Sequence, residues 1–439
     1  MPRALRDLYS GLPREVAILS SVSFTVALGY GIVAPCIPEF ARQFGVSTAA
    51  AASVISAFAL VRIAGALPAG RLVDRLGERT TMAAGILIVA VSSVLAGFSG
   101  SFAELIVLRG VGGFGSAMFG VSAQTLLLRS VPGEQRGRAS GLYTGGFLLG
   151  GISGPALGGL IAAWSLRAPF FIYGGMLLIP AGIAAVVLRD SALRPAEAVA
   201  RRARPLVEIG AALRSRAYRA AAAANLADGF AVVGVRSAIV PLFVRDVLHA
   251  STTWTGIGFL VVAAVNAATL LPGGWVADTL GRKPVIVSGC LISGASMIML
   301  AVLPGRWGFL LALAVLGFGS GLLDVAPSAM IGDLMTPVSP SPSLGAEARV
   351  AQGGTMVASY QMAGDIGTVA GPVAVGFLVD TASYGAAFVL AAGVLGLAAL
   401  AGLAAPETRR GGHRPAVPAG GELAGPQQPL PDADPASAR

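Results

Sequence analysis

Apolar runs of about twenty residues, separated by short clusters of arginine, glycine and proline, alternate along nearly the whole chain. A bilayer core asks for roughly 20 apolar residues per helix. By that measure twelve spans are predicted, starting near Val16, Ser47, Thr80, Phe102, Ala139 and Ala168, then near Tyr218, Thr253, Pro284, Gly308, Ala351 and Tyr384. The run from Val16 to Ile37 is long enough to span and shows no small-residue cleavage site, so it reads as the first span and not as a cleaved signal.

The polar interruptions repeat. Gly70-Arg71-Leu72-Val73-Asp74-Arg75-Leu76-Gly77 is echoed by Gly274-Trp275-Val276-Ala277-Asp278-Thr279-Leu280-Gly281, 204 residues later. Val111-Gly112-Gly113-Phe114-Gly115-Ser116 and Val315-Leu316-Gly317-Phe318-Gly319-Ser320 keep the same offset of 204. Self-similarity of this period points to a duplicated bundle of helices. The expected organisation is a cytoplasmic N-terminus (1–14), a six-helix half (15–188), a cytoplasmic linker (189–217), a second six-helix half (218–405) and a disordered cytoplasmic tail (406–439). Within the linker, Leu206, Ile209 and Leu213 recur at helical spacing, which fits either a short amphipathic helix from Pro205 to Arg216 or an unstructured tether. The tail is too poor in large apolar residues to fold alone.

Composition agrees with a membrane class: 55% of residues are hydrophobic and 12% charged. The net charge of +9 is a topology signal. Of 31 basic residues, 24 lie on the side shared by the two termini, four lie in opposite loops (Arg42, Arg167, Arg245, Arg306), and three lie within spans. Basic loops stay in the cytoplasm, so a multi-pass protein of the plasma membrane with both termini cytoplasmic is expected. Arginines scattered through short loops do not build a nucleic-acid surface. Cys36 and Cys290 are the only cysteines and lie too far apart for a bridge. His249 and His413 have no second ligand at metal spacing, so no metal site is expected. No GxxxxGK[ST] loop appears, which argues against ATP as the drive, and no nucleophile and base occur in a recognisable arrangement for an enzyme. No cofactor is implied.

Six ionisable residues fall inside spans: Arg62, Arg109, Arg236, Asp228, Asp324 and Asp365. Each costs about 3 kcal/mol or more at the bilayer centre, so each is expected to face a cavity or a partner. Three arginines and three aspartates suggest mutual pairing. On an ideal helix Asn225 and Arg236 lie roughly 20° apart and Asp228 about 60° off that line, an inward polar stripe. Each aspartate is either a proton site or half of a fixed ion pair. Arg62 is a substrate anchor, a counter-ion or a carbonyl ligand. Gln361 shares a face with Asp365, and Ser320 lies one turn before Asp324.

The first repeated loop resembles motif A of the major facilitator superfamily, and its second copy lies where that family places one. Leu28-Gly29 followed by Pro35-Cys36-Ile37-Pro38 resembles the lgxxxxxPvxP pattern of the first span in its drug:proton antiporters, with Cys in place of Val. Leu105 to Gly113, centred on Arg109, resembles motif B. Gly150-Gly151-Ile152-Ser153-Gly154-Pro155-Ala156-Leu157-Gly158-Gly159 matches gxxxGPxxGG, motif C of the fifth span. A partial echo, Gly367 to Pro372, lies in the eleventh span.

The resemblance implies a fold of twelve helices in two pseudo-symmetric six-helix bundles. It also implies roles. Asp74 becomes a latch favouring the outward-facing state, with Gly70, Gly77, Arg75 and Arg79 around it; Glu78 departs from the basic residue the family has there. Gly274, Asp278, Gly281 and Arg282 form the second copy, expected to be the weaker latch because Thr279 replaces an arginine. Arg109 is linked to proton transfer, alongside Asp228, Asp324 and Asp365 as the coupling acids. Gly150, Gly154, Pro155, Gly158 and Gly159 bend the fifth span. On spans that line the family's cavity, Tyr30, Phe58, Phe119, Phe147, Asn225, Asn266 and Tyr360, with Arg62, Arg236 and Gln361, are candidates for contact with cargo.

These readings combine into a proton-driven, monomeric exporter of a hydrophobic or amphiphilic small molecule. The alternative is a proton-coupled importer of an organic anion or metabolite, suggested by Arg62 and Arg236. A third reading is a non-transporting membrane sensor, which a continuous polar cavity would argue against.

Overall fold

A computed structural model describes residues 12–131, 136–186, 210, 212–303, 305–335 and 346–408. Half of the expected linker helix falls outside these residues, and the expected tail after Thr408 wholly so. Among the described residues twelve helices are long and apolar enough to cross a bilayer. In the first half they are α1 (Arg14–Arg42), α2 (Thr48–Leu76), α3 (Glu78–Phe98), α4 (Phe102–Ser130), α5 (Arg136–Ala162) and α6 (Ala168–Val186). In the second they are α7 (Arg216–Asp246), α8 (Thr252–Leu280), α9 (Arg282–Val302), α10 (Arg306–Met335), α11 (Ala346–Thr381) and α12 (Tyr384–Leu403). We call the face where α1 ends and α2 begins the distal face, and the opposite one the terminal face.

Local chemistry sets the ends of these helices. α2 and α3 abut with only Gly77 between them, at φ 84°, and α8 and α9 abut with only Gly281, at φ 114°. Side chains rarely tolerate that region, which explains the last glycine of each repeated loop. α1 passes through a 3₁₀ turn at Ala34–Cys36, where Pro35 and Pro38 remove two amide donors. α7 contains a π segment, Asp228–Val235.

Packing repeats between the halves. α1 packs on α5, α2 and α3 on α4, and α3 on α6; α7 packs on α11, α8 and α9 on α10, and α9 on α12. Across the halves, α2 meets α11 and α5 meets α8, so the interface obeys the same pseudo-two-fold relation. Leu67, Ile179, Phe377 and Leu397 are each more than half exposed. Such a surface would drive aggregation in water and matches hydrocarbon instead.

Candidate functional site

The polar groups of the second half converge midway along α7, α8 and α10. Asn266 donates through Nδ2 to Ser320 Oγ at 2.9 Å and to Asp324 Oδ2 at 2.8 Å. Asp228 opens the π segment of α7, close enough to Asp324 and Arg236 to feel both charges. Its Oδ1 is buried and has no hydrogen-bond partner among the described residues. The Arg236 guanidinium lies 5.7 Å from the centre of the Phe259 ring. Tyr360 is near both acids, and its carbonyl accepts from Asn225 Nδ2 at 2.8 Å.

The stripe drawn on an ideal α7 needs correction. A π segment carries its hydrogen bonds from i to i+5 and turns by a different angle per residue, so the interval from Asp228 to Arg236 departs from 3.6-residue spacing, while Asn225 and Asp228 keep it. Asp228 and Arg236 form no ion pair within 4 Å among the described residues. The wide turn leaves the Gly229 carbonyl available to Thr368 Oγ1 at 3.3 Å.

In the first half, Arg109 is 1% exposed, and its guanidinium stacks 4.6 Å above Phe58, whose ring lies 5.5 Å from that of Tyr30. Nε and Nη2 of Arg109 find no acceptor among the described residues. Of the three expected arginine–aspartate pairs, one forms among the described residues: Arg62 of α2 is ion-paired to Asp365 of α11, across the halves. Phe119, expected on the cavity wall, is 4% exposed and packed beside Gly85 of α3, a core position. Phe147 is 43% exposed, and Gln361 is exposed on α11.

The repeated loops also depart from expectation. Asp74 and Arg75 are exposed, Asp74 makes no hydrogen bond or ion pair among the described residues, and Arg79 donates to the carbonyl of Ala185. Glu78 is almost fully buried and pairs with Arg129 at 2.5 Å. The second copy, expected to be the weaker latch, carries a denser network within its own half. There Arg282 holds Asp278 and, at 3.2 Å, Asp333, while Glu407 accepts from the amides of Arg282 at 2.8 Å and Lys283 at 3.0 Å. The physical reason is that Arg282, four residues beyond Asp278 and across the Gly281 break, supplies the guanidinium that Thr279 lacks.

The motif C glycines pack helices. A Cβ at Gly150, Gly154 or Gly158 would lie 2.3, 2.4 or 2.2 Å from the carbonyl oxygens of Phe24, Leu28 and Ile32 on α1. Gly159 turns the other way, and its Cβ would lie 2.2 Å from Gly256 Cα of α8, in the opposite half. Gly367 and Gly371 of α11 repeat the pattern against Leu226 and Phe230 of α7.

A distal-face cluster escaped sequence reasoning. Asp380 of α11 accepts from the amides of Thr48 and Ala49 at 2.9 and 2.8 Å. Arg42 lies 3.9 Å from Asp246 and donates to Thr48 Oγ1 at 2.8 Å, and the Tyr384 hydroxyl donates to Asp246 at 2.6 Å. These are loop-end residues with ordinary capping chemistry, and no periodicity marks which helix end each one meets.

Two interlocked six-helix halves with ionisable groups turned inward at mid-membrane define a membrane transporter. The sequence profile of the Major Facilitator Superfamily matches residues 19–265 and 221–431, and the chain belongs to that superfamily. It is 27% identical over 330 residues to the uncharacterized MFS-type transporter YceJ of Bacillus subtilis (strain 168), covering 72% of this chain and 82% of that protein. It is 31% identical over 175 residues to multidrug resistance protein 2 of the same organism, covering 40% of this chain and 44% of the other, less than half its length. Among solved structures, a bacterial homolog of the human lysosomal transporter Spinster, crystallised in an inward-facing and occupied conformation, aligns with a TM-score of 0.69 at 16% identity, over 89% of this chain and 95% of that one. This last likeness is one of fold.

Proposed function

We propose that the protein is a proton-coupled exporter of a hydrophobic or amphiphilic small molecule, working as a monomer in the plasma membrane by alternating access, without ATP. The observation that carries this reading is the Arg62–Asp365 ion pair, placed midway along the only helix pair that joins the halves through both hydrogen bonds and an ion pair among the described residues. A proton delivered to Asp365 removes the charge that holds Arg62 and so loosens one half from the other. Asp228 and Asp324, beside Arg236, supply a second titratable centre in the C-terminal half. Export follows the resemblance of motif C to drug:proton antiporters, and the likeness to multidrug resistance protein 2 supports it.

With basic loops in the cytoplasm, the terminal face is cytoplasmic and the state seen here is closed to the outside. The exposed, unengaged Asp74 fits that state, because its family counterpart latches the opposite one. The test replaces Asp228, Asp324 and Asp365 singly by Asn in proteoliposomes carrying an imposed pH gradient. Loss of uphill export in at least one variant, with downhill exchange kept, is expected; uphill export by all three refutes the coupling. The unpaired donors of Arg109 favour a second reading, import of an organic anion. Counterflow in inside-out vesicles separates the two by direction and by cargo charge.

A further inference from the structure

α2 and α11 run antiparallel across the interface, as their contacts show: Thr48 meets Asp380, Ala49 meets Gly376, Ser56 Oγ donates to the Val369 carbonyl at 2.7 Å, and Arg62 meets Asp365. Each of these helices carries an aspartate in its last turn, Asp74 in α2 and Asp380 in α11. The antiparallel arrangement therefore sets Asp380 at the beginning of α2 and Asp74 beside the N-terminal part of α11.

At the distal face this relation is realised. The first amides of a helix have no partner within it and carry the positive end of its dipole. Asp380 takes the amides of Thr48 and Ala49 with its two carboxylate oxygens, while Ser47 Oγ accepts from Ala50 at 3.2 Å. Gly376, one turn before Asp380, makes the approach possible, since a Cβ there would lie 2.7 Å from Ala49 Cα. At the terminal face Asp74 is exposed and makes no hydrogen bond or ion pair among the described residues.

We propose that Asp380 is a latch for the state closed at the distal face, acting in antiphase to Asp74: one carboxylate engages the opposing helix start as the other lets go. The Arg42–Asp246 contact, with Tyr384 on the same carboxylate, flanks the latch and joins the same two halves. The inference rests on the alternating-access reading but not on proton coupling or on the identity of the cargo.

The test uses the full chain in lipid nanodiscs, with spin labels at Gln43 and His249, exposed positions at the distal ends of the two halves, and with distances read by double electron–electron resonance. Losing two charge-assisted hydrogen bonds in one state alone is expected to enlarge the long-distance population of Asp380→Ala by roughly tenfold or more. Asp380→Asn, which keeps an acceptor but not the charge, is expected to fall between. Asp74→Ala is expected to move the population the other way, and the double variant to return toward the wild-type distribution. If Asp74→Ala shifts the distances and Asp380→Ala lowers only thermal stability, Asp380 is a simple helix cap and the latch is refuted. If neither variant shifts them, alternating access itself fails.

Discussion

Adjacent glycines of motif C, Gly158 and Gly159, offer a sharp test because their neighbours lie in different halves. A Cβ at either would sit 2.2 Å from a backbone atom, Ile32 O in the first case and Gly256 Cα in the second. Ordinary contact begins at 3.4 Å, so Gly159→Ala forces α5 and α8 apart by about 1.2 Å, the difference between those two distances, and backbone cannot swing aside as a side-chain tip can. Overpacking of this kind costs about 1–3 kcal/mol. For Gly159→Ala the cost falls only on the state in which α5 and α8 meet at the distal face, so it becomes a change in the conformational ratio of roughly 5- to 150-fold. For Gly158→Ala the clash lies inside the first half and is paid in both states, lowering thermal stability and leaving the ratio alone. The reporter is Ser56→Cys, 5% exposed and behind the distal closure, with Cys36 and Cys290 changed to Ala, labelled by a membrane-impermeant thiol reagent. Faster labelling in Gly159→Ala but not in Gly158→Ala is expected. Equal labelling rates in the two variants would refute the argument that α5–α8 contact sets the distal closure.

Two further outcomes follow from the terminal face. Glu78→Arg or Arg129→Asp alone strands a buried charge and is expected to cost about 3–5 kcal/mol, whereas the double exchange restores the pair; thermal unfolding in detergent measures both, and a double variant no more stable than the singles refutes the pairing. Glu407→Ala uncaps α9 at a cost of about 1 kcal/mol, seen as faster hydrogen exchange at the amides of Arg282 and Lys283; unchanged exchange there would show that Glu407 does not hold the helix start.

The architecture was legible because the bilayer imposes it: twelve apolar runs and an offset of 204 residues leave little choice of fold. The inward position of Asp228, Asp324 and Asp365 was legible for the same reason, since lipid penalises the alternatives. Partner choice was not. Arg62 found Asp365 across the halves, while Arg109 found the face of Phe58, because pairing depends on which helix faces which after folding. The local course of α7 was not legible either: eight residues of π-helix, Asp228–Val235, leave no mark in hydropathy. Asp380 was missed because an aspartate at a helix end signals a cap, but not whose.

Glu78 departs from the basic residue the family has at its position, and the duplication explains it. Shifted by 204 residues, Glu78 falls on Arg282 and Arg129 on Asp333, and each pair is an ion pair between the start of one helix and the end of the next: α3 with α4 in one half, α9 with α10 in the other. The fold demands opposite charges at that junction and is indifferent to which side carries which. The polarity does matter for the neighbouring aspartate. In the second half Arg282 holds Asp278 as well as Asp333, so Asp278 is tied to its own half. In the first half a carboxylate occupies the equivalent place, so Asp74 has no arginine four residues beyond it and makes no ion pair among the described residues. The reversal thus turns two equivalent loops into one carboxylate tied within its own half and one exposed carboxylate, and an Arg282→Glu, Asp333→Arg exchange should release Asp278 in the same way, visible as a carboxyl-labelling reactivity equal to that of Asp74.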